Sequence, residues 1–202
     1  MATEVIRRPD EAGLVPSVGV RLGSSLAAGQ LAGIVMAVVM VAVYALILGE
    51  HPLYPVQVIA SILLGHDALV HRTAGVLLTG VLFHQLVPCL LWSVAYFACV
   101  MFARLRMDLN RSLMLGFLIG LISEIIDVYL IAPVLLRMTA GENLWMMHVP
   151  RFWDWAAHAV YGLALGFFYW AVRNAIEKRR GVDHVKVNHG VTADSSGVRR
   201  ND

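Results

Sequence analysis

Five ionisable side chains stand where the chain is otherwise apolar: His84, Glu124, Asp127, Asp154 and His158. Imidazoles and carboxylates together can hold a proton near neutral pH, pass it along a relay, or supply nitrogen and oxygen ligands to a transition metal. Gly116, Gly120, Glu124 and Asp127 follow at steps of four, four and three, and Asp154, His158, Gly162 and Gly166 at steps of four. On helices each series lies broadly along one side. The glycines mark that side as packed, because small residues let membrane helices approach one another. The carboxylates are expected to point into protein, since a charge at mid-helix costs about 2.5 to 3.5 kcal/mol on insertion and normally faces a partner or a cavity.

These groups converge only if the segments carrying them cross a membrane side by side. The 202 residues are 58% hydrophobic and 15% charged, with a mean hydropathy of +0.68, which excludes a soluble globular protein. Four runs, about 26–48, 74–103, 112–136 and 152–172, are long enough to cross a hydrocarbon core of about 30 Å at about 1.5 Å per residue. None alternates with period two, so the runs read as helices and the fold as all-α and membrane-integral. The first is an uncleaved anchor: it is too long for a signal-peptide core, and Gly49-Glu50-His51 is no small-residue cleavage site.

Four spans put both termini on one side. With the termini in the cytoplasm, thirteen of the sixteen Lys and Arg lie inside, and only Arg72, Arg137 and Arg151 outside, which the positive-inside rule selects. The loops 49–73 and 137–151 then face out. In the first, Pro52 and Pro55 bracket Tyr54, and the apolar run Val56 to Leu64 is too short to span, so a short re-entrant or interfacial helix is expected. In the second, Trp145 and Trp153 sit where an interfacial belt would place them. Residues 1–25 read as a cytoplasmic N-terminal tail, 26–172 as a four-helix membrane domain, and 173–202 as a basic, disordered cytoplasmic tail.

Because the third span rises outward and the fourth descends, the glycine pairs Gly116/Gly120 and Gly162/Gly166 are expected to meet in the cytoplasmic half. Glu124 and Asp127 then meet His158 and Asp154 in the outer half, with His84 at the same depth, roughly 15 Å in. Pro88 frees the carbonyl of His84, and Pro133 that of Tyr129. Gly29 and Gly33 form a further stripe, available to the bundle, a second copy or a partner. Cys89 and Cys99 lie about 15 Å apart on a helix, beyond disulfide reach.

Four roles for the cluster stay open: a polar clamp that fixes helix register, a proton relay, a metal or haem site ligated by His84 and His158, and a membrane enzyme. For the relay, only Gln30, Ser93, Thr79 and Tyr96 continue toward the cytoplasm. The loop residues His51, His66, His71, His148, Met146 and Met147 form a soft-ligand set that could bind copper. There is no H-E-x-x-H, no Cys-x-x-Cys, and no nucleophile with an evident base and orienter, so no catalytic residue is expected. A formal charge of +2 gives no reason to expect nucleic acid. The residues point to a non-enzymatic inner-membrane protein, either a small accessory subunit of a larger membrane complex or one linked to proton or stress physiology, with the lipid bilayer and a larger complex or a second copy as the expected partners. The alternative is an intramembrane metal or haem redox protein.

The four spans, the Pro-containing outer loop after the first, and a last span opening with His158-Ala159-Val160-Tyr161-Gly162 and continuing to Gly166 and Tyr169 resemble the uncharacterised inner-membrane proteins of the YagU type and their relatives, over about 26–172. That resemblance implies the four-span topology and no established reaction or cofactor. It also favours proton-linked physiology, since a role in acid tolerance has been proposed for the family.

Overall fold

The computed structural model describes residues 17–102 and 107–194, with 180–194 as backbone only. The fold is 87% helix, without strands among the described residues. Four helices are long and apolar enough to cross a membrane: α1 (Val18–Leu46), α3 (Ala74–Phe102), α4 (Leu109–Thr139) and the Arg151–Arg179 part of α5 (Arg151–Asp194). Between α1 and α3 lies the shorter α2 (Tyr54–Leu64), with Pro55 in its first turn. Single-turn helices, Asp67–Val70 and Leu144–His148, punctuate the connections.

The starts follow from local chemistry. Ser17, Thr73 and Asp108 each accept a backbone N–H from three residues on, at 3.4, 3.3 and 2.9 Å, so helices α1, α3 and α4 begin on side-chain caps. Each helix contains the corresponding apolar run or nearly all of it. The last continues helically to Asp194, past the boundary at 172 expected for the span. The expected tail residues 1–16 and 195–202, and Arg104 and Arg106 of the third connection, lie outside the described residues.

Helix α5 is the hub and packs along both α1 and α4. A Cβ on Gly116 would meet the carbonyl of Gly162, one on Gly120 that of His158, and one on Gly166 that of Ser112. Only glycine lets α4 and α5 touch backbone to backbone here. On α1, a Cβ on Gly29 would meet Ser93 Oγ, and one on Gly33 would lie 2.5 Å from Cys89 Sγ and 2.6 Å from Gln85 Oε1. That stripe is covered by α3 of the same chain.

Helices α3 and α4 each widen into π turns, at Gln85–Cys89 around Pro88 and at Glu124–Ile131 just before Pro133. A proline has no N–H and clashes with the carbonyl four back, and a wider turn relieves both. Side chains of other helices take up the freed acceptors. Gln30 Nε2 donates to Gln85 O at 3.0 Å, and Tyr161 Oη to Cys89 O at 3.3 Å, which Ser93 Oγ also reaches at 2.5 Å. The side-chain donors thus land on Gln85 and Cys89, where release of the His84 carbonyl was expected, because the proline defect is spread over a π turn.

Helix α2 wedges between the first half of α3 and the last turns of α4. A Cβ on Gly80 would meet the carbonyl of Val56, and Thr139 Oγ1 donates to Ile62 O at 3.2 Å. Buried Gln57 ties α2 to the following loop, donating to Ala68 O at 2.9 Å and accepting from Arg72 Nε at 3.1 Å. The run Val56 to Leu64 is therefore helical and packed on both neighbours.

Candidate functional site

Beneath α2, a cavity of about 140 Å³ opens between α3 and α4. Its walls include Met36 and Met40 of α1, Phe83 of α3, and Val128 and Ala132 of α4. His84, Asp127, Asp154 and His158 supply most of its few polar groups. Val87, Leu91 and Ile131, which also line it, are exposed and form its rim.

His158 is the centre of the polar set. It sits four residues after Asp154 on α5, where Gly120 allows α4 to approach its own backbone. Its Nδ1 lies 2.8 Å from Glu124 Oε2 and 3.7 Å from Asp154 Oδ1. With the proton assigned to Nδ1, the N–H points at the backbone carbonyl of Asp154, 3.0 Å away. The Glu124 contact is thus an ion-pair approach off the N–H line, and neither Glu124 oxygen has an aligned donor. Glu124, Asp154 and His158 are 0%, 3% and 7% exposed. A buried carboxylate without donors is costly, so its charge must be matched by His158 or removed by a proton.

Two tryptophans organise the other carboxylates. Trp92 Nε1 donates to Asp127 Oδ2, and Trp145 Nε1 to Asp154 Oδ2, both at 2.7 Å. Trp145, expected in an interfacial belt, has its indole N–H turned inward to Asp154. Asp127 does not share the glycine-marked side of Glu124. The π turn that begins at Glu124 rotates the following residues, and Asp127 faces α3 and the cavity while Glu124 stays against α5, behind His158.

His84 lines the cavity with its ring 3.9 Å from Cys89 Sγ. It is not part of the tight group: among the described residues, the metal-competent donors within 4.8 Å of one another are those of Glu124, Asp154 and His158. His158 of the expected ligand pair is there, and His84 is not. The loop histidines do not gather either. His148 Nδ1 meets Tyr54 Oη at 2.7 Å, His66 pairs with Glu142 at 3.0 Å, and His51 Nδ1 accepts from Leu53 N at 3.1 Å.

Away from α2 the polar path ends. Gln30, Ser93 and Tyr96 are each spent on a backbone carbonyl, and the buried rings of Tyr96 and Tyr169 close the bundle with centroids 5.0 Å apart. Thr79 lies before His84 on α3, toward the α2 end, so it continues the path the wrong way. The sequence reading missed Trp92, Trp145 and Tyr161 as site residues. An indole near a span has an ordinary interfacial explanation, and only the fold shows which carboxylate it reaches.

Comparison with family models, curated proteins and solved structures found no match to the chain.

Proposed function

We propose that the chain is a non-enzymatic, multi-pass protein of a bacterial-type inner membrane, with both termini cytoplasmic, that takes up and releases protons at the His158 cluster. The carrying observation is the 2.8 Å approach of His158 Nδ1 to a Glu124 carboxylate that has no aligned donor, beside a cavity. Three carboxylates, Glu124, Asp127 and Asp154, share this region with two imidazoles, His84 and His158. Even with both imidazoles charged, one carboxylate stays unmatched unless it holds a proton, and low-dielectric surroundings penalise a net charge. Proton occupancy is therefore the natural variable of the site. Access is one-sided in this conformation: the cavity lies in the α2 half of the bundle and opens sideways between α3 and α4, while Tyr96 and Tyr169 close the other half, and the positive-inside rule favours the α2 half as the outer one. The resemblance to the YagU type agrees with proton-linked physiology.

The test is proton flux in proteoliposomes carrying an internal pH dye. Wild type is expected to dissipate an imposed gradient faster than empty liposomes, and Glu124→Gln, folded to the same extent, to fall to the empty rate. Equal rates for wild type and variant would overturn the proposal. A reporter fused after Lys186 that appears outside would reverse the orientation.

A single transition-metal ion is the second reading, favoured by the clustering of two carboxylates and one imidazole within 4.8 Å. Elemental analysis decides it: a stoichiometric metal lost in Asp154→Asn would put this reading first. A haem between His84 and His158 is disfavoured on room, since a cavity of about 140 Å³ is near the size that holds a benzene ring.

A further inference from the structure

We infer that the cavity binds a small lipophilic amine in its ammonium form, a reading that rests on the proton-linked function and names the species that exchanges with the proton. Three independent features of the cavity meet in that ligand.

The first is size and surface. The lining is overwhelmingly apolar and the volume is about 140 Å³, close to the engineered cavity of about 150 Å³ in another protein that takes up benzene. The body of the ligand is thus one small ring or its aliphatic equivalent, seated among Met36, Met40, Phe83 and Ala132.

The second is charge. Asp127 and Asp154 both line the cavity, and each has Oδ2 fixed by an indole N–H. Asp127 keeps its Oδ1 as an acceptor with no indole on it, and Asp154 Oδ1 faces His158 Nδ1 at 3.7 Å, so Asp127 is the principal acceptor for the ammonium. A neutral ligand would leave the carboxylates unmatched, whereas an ammonium supplies both positive charge and N–H donors. Trp92, Trp145 and Tyr161 line the same space and add aromatic surface suited to a cation.

The third is the route. The exposed rim of Val87, Leu91 and Ile131 lies on α3 and α4, so the mouth faces the surface a bilayer would cover. A ligand arriving that way must partition into lipid, which a hydrated metal ion or a sugar does not. The choice of Asp127 also separates this reading from a metal site, because Asp127 is not in the tight Glu124, Asp154 and His158 group.

The test is calorimetric titration of the full chain in mild detergent at neutral pH with benzylamine and its uncharged counterpart benzyl alcohol. Wild type is expected to bind benzylamine at least tenfold more tightly than benzyl alcohol. Asp127→Asn should weaken benzylamine at least tenfold and leave benzyl alcohol unchanged, and Ala132→Leu, which fills the wall, should abolish both. Thermal unfolding of each variant checks that it is folded. Should Asp127→Asn fail to fold, Ala132→Leu and the amine-to-alcohol ratio still decide. Equal binding of amine and alcohol, no binding of either, or benzylamine binding that survives Ala132→Leu would overturn the inference. The titration needs no flux: lost amine binding with intact proton flux refutes this inference alone, and amine binding without flux refutes the proton reading alone.

Discussion

The indole nitrogen of Trp145 sits 2.7 Å from Oδ2 of Asp154, joining the α4–α5 connection to the first turn of α5. Phenylalanine at 145 keeps most of the ring and removes the donor, and a buried acceptor left unpaired costs about 1–3 kcal/mol. Trp145→Phe is expected to lower the unfolding midpoint in detergent by that equivalent. In an Asp154→Asn background the same change should cost less, because the acceptor no longer carries a charge. Additive losses in the double variant would contradict the pairing.

The glycine seam supplies its own control. Gly162→Ala drives a methyl into the carbonyl of Gly116, and overpacking of this kind typically costs about 1–3 kcal/mol. Gly23 on α1 has nothing within 4 Å of where a Cβ would be, so Gly23→Ala should stabilise by about 0.4–1 kcal/mol through the unfolded state. Denaturant-induced unfolding of the two variants should move in opposite directions.

His158→Leu leaves Glu124 buried with no counter-charge. Losing one partner of a buried pair costs about 3–5 kcal/mol in soluble proteins, whereas contacts between membrane helices average only about 0.6 kcal/mol. Glu124 is 0% exposed and has no aligned donor to fall back on, so the larger figure should govern. The double variant Glu124→Leu with His158→Leu is expected to be more stable than His158→Leu alone, with a coupling of about 0.5–3 kcal/mol in a double-mutant cycle.

Tyr54 lies outside the candidate spans, and its hydroxyl meets His148 Nδ1 at 2.7 Å. Burial first, and the charge of Glu50 second, hold its phenol above the ordinary value of 10.0. Below that value the phenol is protonated in both folded and unfolded chains and its contribution is fully present. Above it the unfolded chain loses the proton first, so stability falls as pH rises. Tyr54→Phe is expected to show a shallower loss of thermal stability between about pH 9 and about pH 11 than wild type.

The long helices were legible because apolar runs of membrane length have few alternatives, and the meeting of α4 with α5 because glycines four apart occur on both. Equal depth on antiparallel helices predicts that His84, Glu124, Asp127, Asp154 and His158 converge; four of them line one cavity, and Glu124 lies behind His158. What was not legible depended on departures from regular geometry. The π turn at Glu124–Ile131 turns Asp127 away from Glu124, and no spacing rule written for a 3.6-residue turn anticipates that rotation. The indole donors and the Gln30 contact to Gln85 were equally hidden, since each joins residues distant in the chain.

The hub of the bundle is also the helix made after the other three. α1 and α4 both pack on α5, and Tyr161 of α5 donates to the Cys89 carbonyl at the π turn of α3. During synthesis the glycine faces of α4 and the open acceptor of α3 must wait, exposed to lipid or to the insertion machinery, until Arg151 and the residues beyond it arrive. A nascent chain stopped before Arg151 can insert its first helices but lacks the helix on which α1 and α4 both pack, so completion of the bundle hinges on the C-terminal quarter of the protein.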